Sequence, residues 1–324
     1  MSQSEALLSV TGLNKAYPVR SGAFSRVSEQ VHAVRGVSFD IGPNEVLGLA
    51  GESGSGKTTI GRSILRLIEP SGGRILFKGE EVLSMDRARL HAFRRDAQMI
   101  FQDPYASLDP KMSICESISE PLELHHLQPG RAARRERAVQ LLDLVGLPKD
   151  YIDRHPESLS GGQRQRVSIA RSLAVEPKFL VADEPVSALD VSVQAQVINL
   201  LSDLRERLGL AMLFISHDLA VMRHLSDRIA VLYLGRVMEI GPAKSICQSP
   251  AHPYTKALLS AVPEPEVGLR RERIVLMGDI PSPARPPSGC VFRTRCPMAT
   301  AECAEVVPEL RDVATGHYAA CIKL

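Results

Sequence analysis

The chain has 324 residues, of which 44% are hydrophobic, 23% charged and 4% aromatic, with a formal net charge of +2 and no Trp. That length predicts one large domain plus an appendage. The near-balance of charge and the scarcity of aromatic rings argue against a surface for nucleic acid. No segment reaches the roughly 18 apolar residues that cross a bilayer, and the best runs, Leu210 to Ile215 and Ile229 to Leu234, are of strand length. Met1 to Val10 carries Glu5 and lacks the basic start and apolar core of a signal peptide. The expectation is a chain kept in the cytoplasm, its six Cys serving as thiols or metal ligands rather than disulfides.

Along the chain, Leu7 to Leu13 and Val31 to Ile41 alternate as antiparallel strands do, and the polar stretch Arg20 to Gln30 between them reads as a surface loop. Val46 to Ala50 is a short apolar run that leads into a glycine-rich loop and then a helix from about Thr58 to Leu67. Arg74 to Phe77 and Gln98 to Phe101 read as further strands. Ile114 to Leu124, Arg131 to Val145 and Gly162 to Val175 read as helices. In the second of these Val139, Leu142 and Val145 make an apolar stripe, and Arg131, Arg134, Arg135 and Arg137 a solvated face. Strand and helix then alternate: Phe179 to Ala182, Val191 to Leu208, Ala211 to Ile215, Leu219 to Leu225. A hairpin of Ile229 to Leu234 and Arg236 to Ile240 turns at Gly235. The pattern is α/β with a parallel core sheet, an antiparallel β subdomain and a helical insertion at about residues 103–175. It breaks down after about Pro250, where Pro-rich runs such as Ile280 to Pro287 set residues 251–324 apart from a main domain of residues 1–250.

Gly51-Glu52-Ser53-Gly54-Ser55-Gly56-Lys57-Thr58 fits G-x-x-x-x-G-K-[ST], with a strand before it and a helix after. Glycines let successive backbone N–H groups turn toward phosphate oxygens, and the helix N-terminus adds its positive dipole end. Lys57 would neutralise the β- and γ-phosphates, the Thr58 hydroxyl would ligate Mg²⁺, and Thr59 continues the phosphate-binding stretch. Phe179 to Glu184 is an apolar strand that ends in two carboxylates. Asp183 would hold Mg²⁺, and Glu184 would act on the attacking water as a base or a positioning group. In Leu159-Ser160-Gly161-Gly162-Gln163, Ser160 is a good helix N-cap and the glycines expose backbone N–H groups, a second anion site on a second helix end. One chain has no evident use for two such sites unless one serves a neighbour.

With the LSGGQ run at residues 159–163, the stretch from Leu7 to Gly241 resembles the ABC ATPases, a branch of the P-loop NTPases. The resemblance implies ATP and Mg²⁺ as ligands and assigns further roles. Tyr17 would stack on adenine, although a core Tyr is an open alternative. Gln102 would contact Mg²⁺ and sense a membrane partner, Asp190 would lie at a dimer seam, and His217 would contact the γ-phosphate. Two such subunits would close head to tail on two ATP molecules, each held by Lys57 of one subunit and by Ser160 to Gln163 of the other. The presence of Lys57, Glu184 and His217 implies a catalytically competent site.

A single ATPase unit without fused membrane helices favours an importer with two separate permeases, docked through the helical insertion and the Gln102 loop at the cytoplasmic face of the inner membrane. His252 to Pro263 and Phe101 to Pro110 resemble the oligopeptide and dipeptide importers, the latter wording closer to the F-type partner of an unlike pair. An extracytoplasmic substrate-binding protein would then take part indirectly. Nickel, glutathione or oligosaccharides remain as other cargoes. So do two other classes of function, a soluble ABC ATPase of translation or DNA repair and a regulator that binds ATP without hydrolysing it. Cys290, Cys296, Cys303 and Cys321 have spacings that match neither common zinc ribbons nor ferredoxin runs, so a metal site and structural thiols both stay open. The resemblance implies a [4Fe–4S] cluster on these four, with zinc as the other metal. Cys115 and Cys247 read as packing residues.

Overall fold

The computed structural model describes residues 6–21, 26–261 and 273–324. They form two compact units, one made of the chain up to Ile41, Val46–Leu83 and Ser216–Leu324, the other of Gly42–Glu45 and Ser84–Ile215.

In the first unit Leu8–Ser21 pairs antiparallel with Arg26–Ile41 on one side and Gly72–Phe77 on the other, and Glu80–Glu81 adds a short edge. The expected loop at Arg20 to Gln30 is corrected in part. The strands run on to Ser21 and resume at Arg26, which pair with each other, because a backbone ladder needs no apolar side chains to form. Residues 22–25 of that loop, like Met1 to Glu5 of the N-terminal reading, lie outside the described residues. Val46–Ala50 is buried at every position and pairs in parallel with Arg228–Tyr233, as expected of a strand covered on both faces. Arg228–Tyr233 pairs antiparallel with Arg236–Pro242, and the hairpin turns at Gly235 as the sequence indicates. The helix after the glycine-rich loop is Lys57–Ile64, shorter than expected, because Arg66 takes a left-handed φ of 48°.

The C-terminal segment is more ordered than its composition suggests. Ala243–Gln248 and Pro253–Ser260 are helices, and His317–Ala319 pairs with Arg236–Pro242 and with Arg311–Ala314. Glu239, fully buried, accepts the Ala251 and His252 N–H groups at 2.7 and 3.0 Å and lies 2.6 Å from His317 Nε2. A buried carboxylate satisfied in this way is a strong joint, since a lone one is costly. His252 caps the following helix by accepting the Tyr254 N–H on Nδ1, and burial lowers its pKa to about 4. The ring therefore stays neutral and keeps that lone pair.

In the second unit Ala97–Ile100, Phe179–Asp183 and Ala211–Ile215 are parallel neighbours. The helices Ile114–Leu124, Arg131–Leu144 and Gly161–Leu173 pack on one another. Ser113 and Glu116 close a capping box on the first, and Ser160 and Gln163 close one on the third. The core face of Arg131–Leu144 comprises Ala138, Leu141 and Leu142 with Val145, while Val139 is only half-buried. Its arginines meet acids at the surface: Arg135 with Asp153 (both contacts 2.6 Å), Arg137 with Glu176 at 3.0 Å and Arg134 with Glu123 at 3.6 Å. Exposed pairs of this kind add little stability. A basic helix that the apolar pattern misses, Arg87–Asp96, is capped by Asp86 and buries only Phe93.

Gly162 sets how closely the third helix approaches Val191–Leu208. A Cβ built there would stand 2.4 Å from Val193 Cγ1. Gly162→Ala is expected to destabilise the protein by about 1–3 kcal/mol through overpacking, measured by urea unfolding. Val193→Ala in the same chain should restore most of the loss.

Candidate functional site

The glycine-rich loop follows the buried strand Val46–Ala50 and is held by backbone approaches that only glycine allows. Gly51 has φ 147°, and a Cβ there would lie 2.3 Å from the Leu232 carbonyl oxygen. At Gly56, with φ 102°, the Cβ would meet the Ala33 carbonyl oxygen at 2.2 Å. Gly235 N–H donates to the Ser55 carbonyl at 2.9 Å, tying the β-hairpin to the same loop. Ser53 and Gly54 are exposed at its crest, whereas Ser55 is buried with its Oγ unpartnered among the described residues.

Lys57 is 4% exposed, and its Nζ donates to the carbonyls of Gly51 at 2.8 Å and Glu52 at 3.0 Å. The ammonium is thereby folded back over the loop. Thr58 and Thr59 are half-buried in the first turn of Lys57–Ile64, which carries no acidic residue to compete with an anion for the helix end. The same unit holds Tyr17 and His217. Tyr17 is 37% exposed with Lys15 Nζ 4.9 Å from its ring centre, so it is not a core residue. His217 is exposed just past Ala211–Ile215, beside Asp218, which caps Leu219–Leu225.

The second unit brings the other expected residues into order. Asp183 is buried at the tip of Phe179–Asp183. Glu184, next in the chain, has a left-handed φ of 44°. For a non-glycine residue that conformation costs about 1–3 kcal/mol. The surroundings hold it: the Glu184 N–H donates to the Ile215 carbonyl at 3.0 Å, and the Ser187 N–H and hydroxyl donate to the Glu184 carbonyl at 3.2 and 3.1 Å. Its side chain accepts the Gln102 Nε2 hydrogen bond at 3.1 Å. The carboxylate is therefore aimed by an amide that is itself an expected ligand contact.

Ser160 is exposed, and its hydroxyl accepts the Gln163 N–H at 3.4 Å while Gln163 Oε1 accepts the Ser160 N–H at 2.9 Å. Gly161 is half-buried and Gly162 buried, so the second glycine serves packing as well as backbone exposure. The Gln102 loop is joined to this helix. Tyr105 lies under the Arg164 guanidinium at 3.8 Å, and Arg171 donates to the Ser107 carbonyl at 2.7 Å. Asp190 is exposed at the N-terminus of Val191–Leu208, and Val191 beside it is 82% exposed.

Cys290, Cys296, Cys303 and Cys321 line one cavity of about 20 Å³, room for about one water molecule. Burial raises the thiol pKa of Cys290 and Cys296, and backbone hydrogen bonding from Thr300 lowers that of Cys303. Among the described residues no group of three or more His, Cys, Asp or Glu stands together in an arrangement that could hold a metal ion. Cys247 is buried as expected of a packing residue, while Cys115 is half-buried at the edge of a surface groove.

Sequence reasoning missed the residues that reach the glycine-rich loop from the C-terminal segment. Arg295 forms two hydrogen bonds to the Glu52 carboxylate, at 2.7 and 3.1 Å, and Tyr254 Oη accepts the Glu52 N–H at 3.1 Å. Tyr254 lies in the run His252 to Pro263 quoted for its family wording and Arg295 stands beside Cys296, but neither spacing nor periodicity links them to a loop more than two hundred residues away.

Residues 34–187 match the ABC transporter family, and residues 238–303 match the oligopeptide/dipeptide transporter C-terminal region. A Brucella ovis protein named for peptide import and ATP binding is 57% identical over 98% of each chain. The oligopeptide transport ATP-binding protein AppF of Bacillus subtilis is 48% identical over 99% of this chain and 98% of its own. Among solved structures, the dimeric ATP-binding cassette MJ0796 in a post-hydrolysis state with ADP and Pi aligns with a TM-score of 0.65 and 30% identity, covering 73% of this chain and 98% of that one. CbiO1 of Clostridium perfringens aligns with a TM-score of 0.63 and 28% identity, covering 75% and 90%. No described helix is long and apolar enough to cross a membrane. A glycine-pinned loop before a helix, a carboxylate held by a glutamine on a left-handed backbone and a capped second helix end stand in a chain whose likeness to these relatives spans nearly its whole length: the chain belongs to the ATP-hydrolysing subunits of ABC transporters, in the branch that carries the oligopeptide/dipeptide C-terminal region.

Proposed function

We propose that this chain is the energy-coupling ATPase of a membrane importer for di- or oligopeptides. The carrying observation is the pairing of an ATPase unit with the oligopeptide/dipeptide C-terminal region in one chain, a pairing shared along the length of relatives named for peptide transport. The working division is an ATPase domain of residues 1–250, with its helical insertion at about 103–175, and a tail of residues 251–324.

On this reading Gly51 to Thr59 bind the phosphates, with Lys57 on the β- and γ-oxygens and Tyr17 stacked on adenine. Thr58, Gln102 and Asp183 offer the oxygen donors that Mg²⁺ prefers. Bound with ATP, that ion supplies charge neutralisation at the phosphates. Glu184 orients and deprotonates the attacking water, Gln102 keeps the carboxylate in place, and His217 steadies the γ-phosphate. The backbone N–H groups at Ser160 to Gln163 complete the site of a neighbouring subunit, with Asp190 at the seam. We take that partner to be unlike this chain and arranged head to tail with it. ATP then favours closure and hydrolysis permits opening, a population shift set by contacts that only the closed pair makes.

Two permeases would dock on the helical insertion, where a groove of about 430 Å³ is lined by residues of both charges, among them Lys111, Glu116, Glu120, Arg131, Arg134 and Asp153. The chain would sit on the cytoplasmic face of the inner membrane, receiving peptide indirectly from an extracytoplasmic binding protein. We keep the expected [4Fe–4S] cluster on Cys290, Cys296, Cys303 and Cys321 as a proposal: the four thiols line one cavity and are the right donor type. They would have to draw together to hold it, since among the described residues they do not stand as a metal-binding group.

Glu184→Gln should lower kcat by roughly 10²–10⁴-fold while ATP binding is retained, measured by steady-state hydrolysis and equilibrium nucleotide binding. Equal rates in the two proteins would defeat the mechanism. Protein purified without oxygen should be brown, absorb broadly near ~400 nm and contain iron that is lost on Cys290→Ser. Colourless, iron-free protein would remove the cluster from the account.

A further inference from the structure

The Glu52 residue of the phosphate loop is held at its carboxylate and its N–H by a structure that belongs to the opposite end of the chain. Its carboxylate makes the two-pronged pair with Arg295, whose side chain is 9% exposed. Its N–H donates to Tyr254 Oη, and Tyr254 is fully buried. Its carbonyl accepts Lys57 Nζ at 3.0 Å and the Ser55 N–H at 3.2 Å. Arg295 and Tyr254 are in turn fixed by a buried aromatic cluster. Tyr233 stands edge-on to Tyr254 at 4.8 Å and to Phe292 at 5.3 Å, and Tyr254 and Phe292 are 5.2 Å apart. The Arg295 guanidinium lies 5.9 Å from the Tyr233 ring centre. The turn that carries Phe292 and Arg295 is anchored by Cys290 N–H on the Cys303 carbonyl at 2.8 Å.

A carboxylate in the middle of a loop that must receive a polyphosphate is an electrostatic liability. Unpaired, it would repel the ligand and leave the loop free to swing. A bidentate arginine removes both problems, by neutralising the charge and by fixing its direction.

We propose that Arg295 and Tyr254 are positioning residues of the nucleotide site: through Glu52 they hold the phosphate loop and Lys57 in the ATP-receiving conformation, so the C-terminal region is a working part of that site. The proposal rests on the reading of residues 51–58 as the phosphate loop. It places the sensitivity in nucleotide affinity rather than in the chemical step, because both residues act on the loop through Glu52.

The test measures equilibrium binding of ATP and the KM and kcat of hydrolysis on the full chain. Arg295→Met should weaken ATP binding and raise KM by roughly tenfold, with kcat changed less than about twofold, the pattern of lost uniform binding. Arg295→Lys, which keeps the charge but not the fork, should fall between the two proteins. Tyr254→Phe, which keeps the buried ring and removes only the hydroxyl, should raise KM by a smaller factor. The distinguishing result is rescue: adding Glu52→Gln to Arg295→Met should restore most of the lost affinity, because the repelling charge is gone. A purely structural role for Arg295 gives no such rescue. Unchanged affinity in Arg295→Met, or a loss that Glu52→Gln does not repair, overturns the proposal. Lys57→Ala separates the two readings, since binding that survives it would refute the phosphate loop itself.

Discussion

A polypeptide can offer successive N–H groups to a polyanion only where its own side chains stay out of the way, and here that condition is met by contact with neighbouring carbonyls. The Leu232 and Ala33 oxygens stand so close to Gly51 and Gly56 that any Cβ would collide with them. The loop is therefore seated against two strands, and the start of Lys57–Ile64 is fixed with it. Lys57 is buried and drawn back over the loop by the Gly51 and Glu52 carbonyls. The buried joints of the C-terminal region, Glu239 with His317 and Arg295 with Glu52, extend the same framework to the far end of the chain.

The second unit solves a different problem. On the proposed reading Glu184 acts on water and must be aimed; its direction is set by a backbone conformation it would not choose, together with the Gln102 amide. Strain of this sort persists only where the surroundings over-determine it. The Ile215 carbonyl and Ser187 supply that constraint. Because Gln102 begins a segment fastened to the helix Gly161–Leu173 through Tyr105–Arg164 and Arg171–Ser107, a shift of that helix would reach the Glu184 side chain through few intermediates.

Much of this was legible in the residues. An apolar run as short as Phe179 to Ala182 reads as a buried strand because it is too short for a buried helix, and the glycine-rich loop carries its own grammar of glycine, lysine and threonine. What escaped was structure made by partners distant in sequence. Arg87–Asp96 was missed because it buries a single residue, Phe93, and so shows no apolar stripe. The helix Pro253–Ser260 lay within a run quoted for its wording but starts on a histidine cap, a less common signal than Ser or Asp. The strands at Ser21 and Arg26 are polar, and only pairing reveals them. The hold of Arg295 and Tyr254 on Glu52 has no signature at all in local pattern, since it depends on how the tail folds back within its unit.

The central claim is that this ATPase drives peptide import through membrane partners. Its most direct test is the hydrolysis rate of the chain purified together with its permeases and returned to lipid vesicles, with and without peptide-loaded binding protein. The account predicts a several-fold rise in ATP turnover that depends on peptide and on the permeases. A rate indifferent to both, or a chain that purifies with nucleic acid and without membrane partners, would contradict it.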